Sequence, residues 1–189
     1  MSRPSAALWQ LSRAAGVTAY LALTLAVAFG LLLSTRLAER WSSRALRVDL
    51  HRWLSSVTLL LLGAHAAALL GDSFLRFDAL DVLVPFAARY RPFAVGLGIL
   101  AAYAAVVVHA SFALRSRIGA RAWRTLHYAS FGLYALATAH GLLAGSDAAL
   151  PWMRGAYLAS LGLVAVLTGY RVVAARSDRP REMSPTPQR

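Results

Sequence analysis

The sequence predicts an all-α integral membrane protein, a bundle of five transmembrane helices, and two observations predict it. Hydrophobic residues make up 58% of the 189 positions, with a mean hydropathy of +0.54. The apolar residues are also gathered into runs, each long enough to cross about 30 Å of hydrocarbon at about 1.5 Å of rise per residue. A soluble domain of this length needs far more polar surface to cover its core. The length suits one bundle, so residues 1–176 read as one domain. Residues 177–189 (SDRPREMSPTPQR) are polar and proline-rich and read as a disordered tail on the cytoplasmic side.

The first run, Ala14–Ser34, is too long for a signal-peptide core and other runs follow it, so it is expected to be a retained helix. The second is Arg52–Leu70. The connection Gly71–Pro92 is the longest, and its stretch FDALDVLVPFAARY is amphipathic and rich in aromatics. Two conformations suit it: a short interfacial helix broken at Pro85, or a loop cap packed over the bundle. The remaining runs are Phe93–Leu114, Trp123–Leu143 and Trp152–Val173. No internal repeat, low-complexity tract or heptad pattern interrupts them.

Net charge is +12, and all 20 basic residues are arginine. In a soluble protein that balance would suggest nucleic acid. Here the arginines lie between apolar runs rather than along one stripe, so nucleic-acid binding is excluded and membrane topology explains them. Arg3, Arg13, Arg76, Arg89, Arg91 and Arg154 fall on one side of the alternating spans. Arg36, Arg40, Arg44, Arg47, Arg52, Arg115, Arg117, Arg121, Arg124, Arg171, Arg176, Arg179, Arg181 and Arg189 fall on the other. The positive-inside rule then puts the N-terminus outside and the C-terminus in the cytoplasm of an inner or plasma membrane.

The chemistry lies in the histidines, because ionisable groups inside membrane spans are costly and point to function. His51 and His65 belong to the second span, His109 to the third, and His127 and His140 to the fourth. The second and fourth spans run in the same direction, so His51 and His127 share the inner depth and His65 and His140 the outer. Spacings of 14 and 13 residues correspond to about 21 and 19.5 Å of rise. Two layers result, each with one histidine from each helix, as bis-histidine haem ligation requires. Two haems at that separation, held between spans two and four, would have edges close enough for electron tunnelling. The chain has no cysteine, which excludes iron–sulfur clusters and covalent haem attachment. Met1, Met153 and Met183 lie at the termini or in a loop, which leaves histidine to bind b-type haem without covalent attachment.

Gly63, Ala64, Ala66 and Ala67 flank His65, and Ala139 and Gly141 flank His140. Such small residues leave room for a flat macrocycle, although they also mediate ordinary helix packing. Arg52 and Arg124 sit near the inner pair as cations for haem propionates, and Arg76, Arg89, Arg91 and Arg154 are the corresponding candidates outside. A spacing of 14 returns to within about 40° of one helical face, whereas 13 misses by about 140°. The fourth span is therefore expected to be overwound or bent, with Gly132 as a place for the deformation, or its imidazoles leave from different sides. His109, at the depth of the inner pair, could replace one of those ligands, bond a propionate or snorkel to the interface.

The paired segments HRWLSSVTLLLLGAH and HYASFGLYALATAH resemble the ferric reductase-like transmembrane domain over roughly residues 14–173. That superfamily includes NADPH oxidases, metalloreductases and the haem-binding subunit of periplasmic methionine sulfoxide reductase. The resemblance implies that His51 pairs with His127 and His65 with His140 as metal ligands for two haems. The oxidases have six helices and a cytoplasmic flavin and nicotinamide module, whereas the tail here carries no glycine-rich phosphate motif. Flavin would enter only through a partner, and electrons are expected from a cytoplasmic-side protein or a membrane quinol.

The sequence thus predicts a transmembrane di-haem cytochrome, the electron-transfer component of an oxidoreductase. Its acceptor on the outer face would be ferric iron, oxygen or a periplasmic redox partner. A one- or two-haem subunit dedicated to a periplasmic reductase is the neighbouring reading. The non-redox alternative is a small membrane carrier or structural subunit whose histidines relay protons. Intramembrane carboxylates would favour that alternative, yet all eight acidic residues lie in loops or at span ends.

Overall fold

The computed structural model describes residues 4–35, 37 and 42–177. Arg3, Arg36, Arg40 and the expected tail beyond Ser177 lie outside the described residues. Six helices follow one another: α1 Pro4–Leu33, α2 Arg44–Gly71, α3 Ala79–Leu83, α4 Pro92–His127, α5 Ala129–Ala144 and α6 Pro151–Ser177. No strand occurs among the described residues. α1, α2, α4 and α6 are long and apolar enough to cross a membrane; α5 is apolar but has 16 residues.

Both long arginine-rich segments are more helical than the apolar runs alone suggest. The Ser43 hydroxyl accepts from the Leu46 N–H (3.2 Å) and caps α2, so Arg44, Arg47 and Arg52 stand on a helix rather than in a loop. Helical geometry also continues through Arg115–Arg124 and breaks only at Gly119, where φ is 81° and ψ 157°. That left-handed conformation suits glycine. Phe112 and Trp123 would be about 16 Å apart along a straight helix, but their ring centroids are 6.4 Å apart. The chain therefore doubles back at Gly119, and the stretch after it runs towards α5 through Tyr128, which keeps helical dihedrals (φ −63°, ψ −18°).

The connection between α2 and α4 combines a short helix with a cap. Asp78 and Asp81 form a reciprocal capping box that starts α3, and α3 ends before Pro85. The backbone N–H of Asp81 bonding Asp78, with Arg89 beside it, holds the Asp78 carboxyl below its ordinary value. Phe77, Asp81 and Ala88 are buried, and the Phe86 ring fills the space that a side chain at Gly96 would need. The loop is thus tied down onto the bundle end.

α1 is the most buried of the long helices. It packs along α2 and also meets α5 and α6, while α4 packs along α5. The core between them includes Tyr20, Leu23, Val27, Leu31, Leu133, Tyr134, Met153 and Tyr157. Within it, Ser160 Oγ lies 3.0 Å from Tyr20 OH, 2.9 Å from Thr24 Oγ1 and 2.5 Å from Tyr134 OH. This cluster joins α1, α5 and α6 and satisfies hydroxyls that hydrocarbon cannot. Leu60, Leu158, Val166 and Val173 point outward, which is where a lipid solvent would lie.

Candidate functional site: two facing imidazole pairs

The structure brings four of the five histidines together in two pairs. The His51 and His127 ring centroids are 6.0 Å apart with planes at 71°. Those of His65 and His140 are 6.4 Å apart with planes at 77°. All four are half-buried. Each pair takes one ring from α2 and one from the α4–α5 arm. α2 and α5 do not pack closely along their length; His65 on α2 faces His140 on α5, and His51 faces His127 at the end of α4.

Three rings are fixed by hydrogen bonds to backbone carbonyls of adjacent helices. His51 Nδ1 donates to Ala26 O, His65 Nδ1 to Ser12 O and His140 Nδ1 to Ala94 O, each at 2.8 Å. Ser12 Oγ lies 3.1 Å from the same nitrogen of His65. Donation from Nδ1 sets the tautomer and leaves the lone pair on Nε2, the arrangement usual for metal-ligating histidine. His127 differs: its Nδ1 is buried without a partner, and its ring stacks on Trp123 with centroids 5.1 Å apart.

The 13-residue spacing is partly accommodated where α5 begins. The Phe131 N–H donates to Tyr128 O (3.1 Å), an i→i+3 bond of the tighter 3₁₀ kind. Three residues turning about 120° rather than about 100° would recover about 60° of the mismatch. The irregularity sits at Tyr128 and not at Gly132, which is exposed.

The other expected residues are placed less centrally. Arg52 and Arg124 are exposed, and the Arg52 guanidinium lies over Phe112 at 5.1 Å. His109 is exposed on α4 and belongs to neither pair. At the His65–His140 end, Arg13 pairs with Asp147, Arg89 with Asp78 at 3.0 Å, and Arg91 donates to Leu143 O at 2.6 Å. A cavity of about 250 Å³ reaches His65 and His140 and is lined also by Gly16, Gly98, Leu62 and Ala137.

Sequence reasoning missed Arg47, Trp123 and the glycines that face the rings. Arg47 is only 5% exposed and its Nε has no partner. It precedes His51 by four residues and so shares its face of α2. Trp123 Nε1 is likewise buried and unpartnered. The i, i+4 relation of Arg47 to His51 was visible in the sequence, but an arginine count serving topology concealed it.

These features define a multi-pass helical membrane protein with two stacked imidazole pairs. Residues 15–138 match the ferric reductase like transmembrane component family, and the chain belongs to that family. It is a family of membrane electron-transfer proteins that typically bind haem. No curated protein and no solved structure matches the chain.

Proposed function

We propose that this chain is a transmembrane b-type cytochrome. In this reading it holds two haems and passes electrons from a cytoplasmic-side or quinol donor to an acceptor on the outer face. The observation that carries this reading is the spacing of the facing imidazoles. Metal–imidazole bonds of about 2 Å, with roughly 1.1 Å more from each nitrogen to its ring centre, put two axial ligands about 6.2 Å apart; the observed centroids are 6.0 and 6.4 Å apart. Among the described residues no group of three or more histidine or acidic side chains converges. Two protein ligands suit an iron whose other ligands come from a macrocycle better than a bare ion.

His51 with His127 and His65 with His140 would hold the irons, and Nδ1 donation by three of these rings would present Nε2 to the metal. Haem, when bound, supplies reversible one-electron chemistry at iron. The lack of close packing between α2 and α5 supports this fit at His65 and His140, as do the unpartnered donors of Arg47 and Trp123 at the other pair. Arg47 would meet an inner propionate, and Arg52 and Arg124, which are exposed, would be further cations for the inner carboxylates. Residues 120–144, helical through Tyr128, would complete five spans in one domain over residues 1–176, with the N-terminus outside. Ferric iron, oxygen or a periplasmic redox protein would accept the electrons.

Purified protein from haem-replete cells should give a reduced b-type spectrum, with about two haems per chain by pyridine haemochrome assay. A colourless preparation would end the proposal. Reporter fusions at Asp147 and at the C-terminus should report outside and inside respectively, and the reverse would overturn the orientation.

A further inference from the structure

Three of the four paired histidines are seated by the same backbone device. His65 donates to Ser12 O and its ring lies against Gly16. His51 donates to Ala26 O and lies against Gly30. His140 donates to Ala94 O and lies against Gly98. In each case the glycine stands four residues after the accepting carbonyl. A helical carbonyl points towards residue i+4, whose own N–H it accepts. A ring that reaches such a carbonyl from outside must therefore lie over position i+4. Any side chain there would occupy the ring's place.

The crowding is graded. A Cβ at Gly98 would stand 2.6 Å from His140 Nδ1 and 2.7 Å from its Cε1. At Gly16 it would stand 2.9 Å from His65 Nδ1, and at Gly30 3.2 Å from His51 Cε1. These glycines do not serve helix–helix contact in the ordinary sense, since what they admit is an imidazole. The fourth ring, His127, has no carbonyl partner and leans on Trp123 instead.

We propose that Gly16, Gly30 and Gly98 are positioning residues that set the rotation of His65, His51 and His140 and hold each Nδ1 on its carbonyl. The outer pair is then clamped on both sides and the inner pair on one. The proposal rests on reading these imidazoles as haem ligands, but the seating itself is a property of the chain without cofactor.

The test compares Gly98→Ala, Gly16→Ala and Gly30→Ala in the full chain, with Gly162→Ala and Gly169→Ala as controls, where an added Cβ meets nothing within 4 Å. The readouts are haem stoichiometry and the low-spin electron paramagnetic resonance signals. Gly98→Ala should shift or abolish the outer signal, Gly16→Ala should do so less, and Gly30→Ala should shift the inner signal least. Both controls should keep the wild-type spectrum. Native signals in Gly98→Ala and Gly16→Ala would overturn the proposal.

Should Gly98→Ala fail to accumulate, a double variant decides. Removing the ring removes the clash, so Gly98→Ala with His140→Ala should accumulate as His140→Ala alone does. A double variant as poorly produced as Gly98→Ala would overturn the seating role. This arm needs no haem, so a colourless wild-type protein would sink the cytochrome reading without deciding the role of the glycines.

Discussion

Arg47 gives a test in which two explanations predict opposite signs. Arg47 is only 5% exposed, and its Nε is buried with no partner among the described residues. If that charge meets no haem carboxylate, an apolar residue of similar volume is expected to be neutral or stabilising there, because burying a charge is costly. If Arg47 instead meets an inner haem carboxylate, removing it breaks a buried pair, at about 3–5 kcal/mol. At about 1.4 kcal/mol per tenfold, that is a loss of about two to three and a half orders of magnitude in inner-haem affinity. Arg47→Met preserves most of the volume and removes only the charge. The assay is haem retention during transfer to an excess of a soluble haem acceptor, followed beside the thermal stability of the haem-free protein. The expected result is rapid loss of one haem of two from the loaded protein, while the haem-free protein is no less stable than wild type. Arg47→Met that keeps both haems at the wild-type rate would refute the argument and leave the inner carboxylates to Arg52 or Arg124.

The remaining predictions concern the ligands and the core. His65→Ala and His140→Ala should each remove the outer haem, and the double variant should lose no more, as expected of residues acting as one unit. His51→Ala and His127→Ala should do the same at the inner site, while His109→Ala, on the exposed face, should keep both haems. A haem lost with His109→Ala and retained with His127→Ala would reassign the inner ligand. Ser160→Ala removes the shared partner of Tyr20, Thr24 and Tyr134 and should cost about 1–2 kcal/mol, between the values for membrane hydrogen bonds and for stranded buried donors. The check is the thermal midpoint in detergent, and an unchanged or raised midpoint would refute the role of the cluster.

The helical membrane architecture was legible because bilayer thickness imposes a length on every apolar run, and the runs were read directly from composition. Their ends were harder to place. α1 begins at Pro4 and α2 at Arg44, well before the apolar runs start, because alanine and leucine in the first and arginine in the second are good helix formers and extend the helix beyond the apolar run. The reversal at Gly119 was hidden for a related reason. Arg115–Arg124 reads as a polar loop, yet nearly all of it is helical, and a single glycine with positive φ makes the turn. The short α3 ending before Pro85 was one of two conformations the sequence allowed. The chain uses features of both, since Asp78 caps a helix while Phe77 and Phe86 press the loop onto the bundle.

The histidines were legible and their support was not, and the reason is physical. Depth depends on residue count alone, so 14 and 13 residues sufficed to sort four rings into two layers. Orientation depends on which neighbouring helix offers a carbonyl, and no intrahelical periodicity carries that information. Ser12, Ala26 and Ala94 act through backbone oxygen, which leaves no trace in residue type. Only the glycine four positions later leaves a mark, in the segments SRAAG, AVAFG and AVGLG. Each reads as ordinary small-residue packing until the opposing ring is known. The 13-residue spacing was the one local inconsistency in the sequence. It coincides with the tightened turn at Tyr128 and with the one imidazole, His127, that has no carbonyl to hold it. A helix that must rotate its inner histidine out of register carries the ring away from the carbonyls of its neighbours. The stacking of His127 on Trp123 is then what remains to orient it.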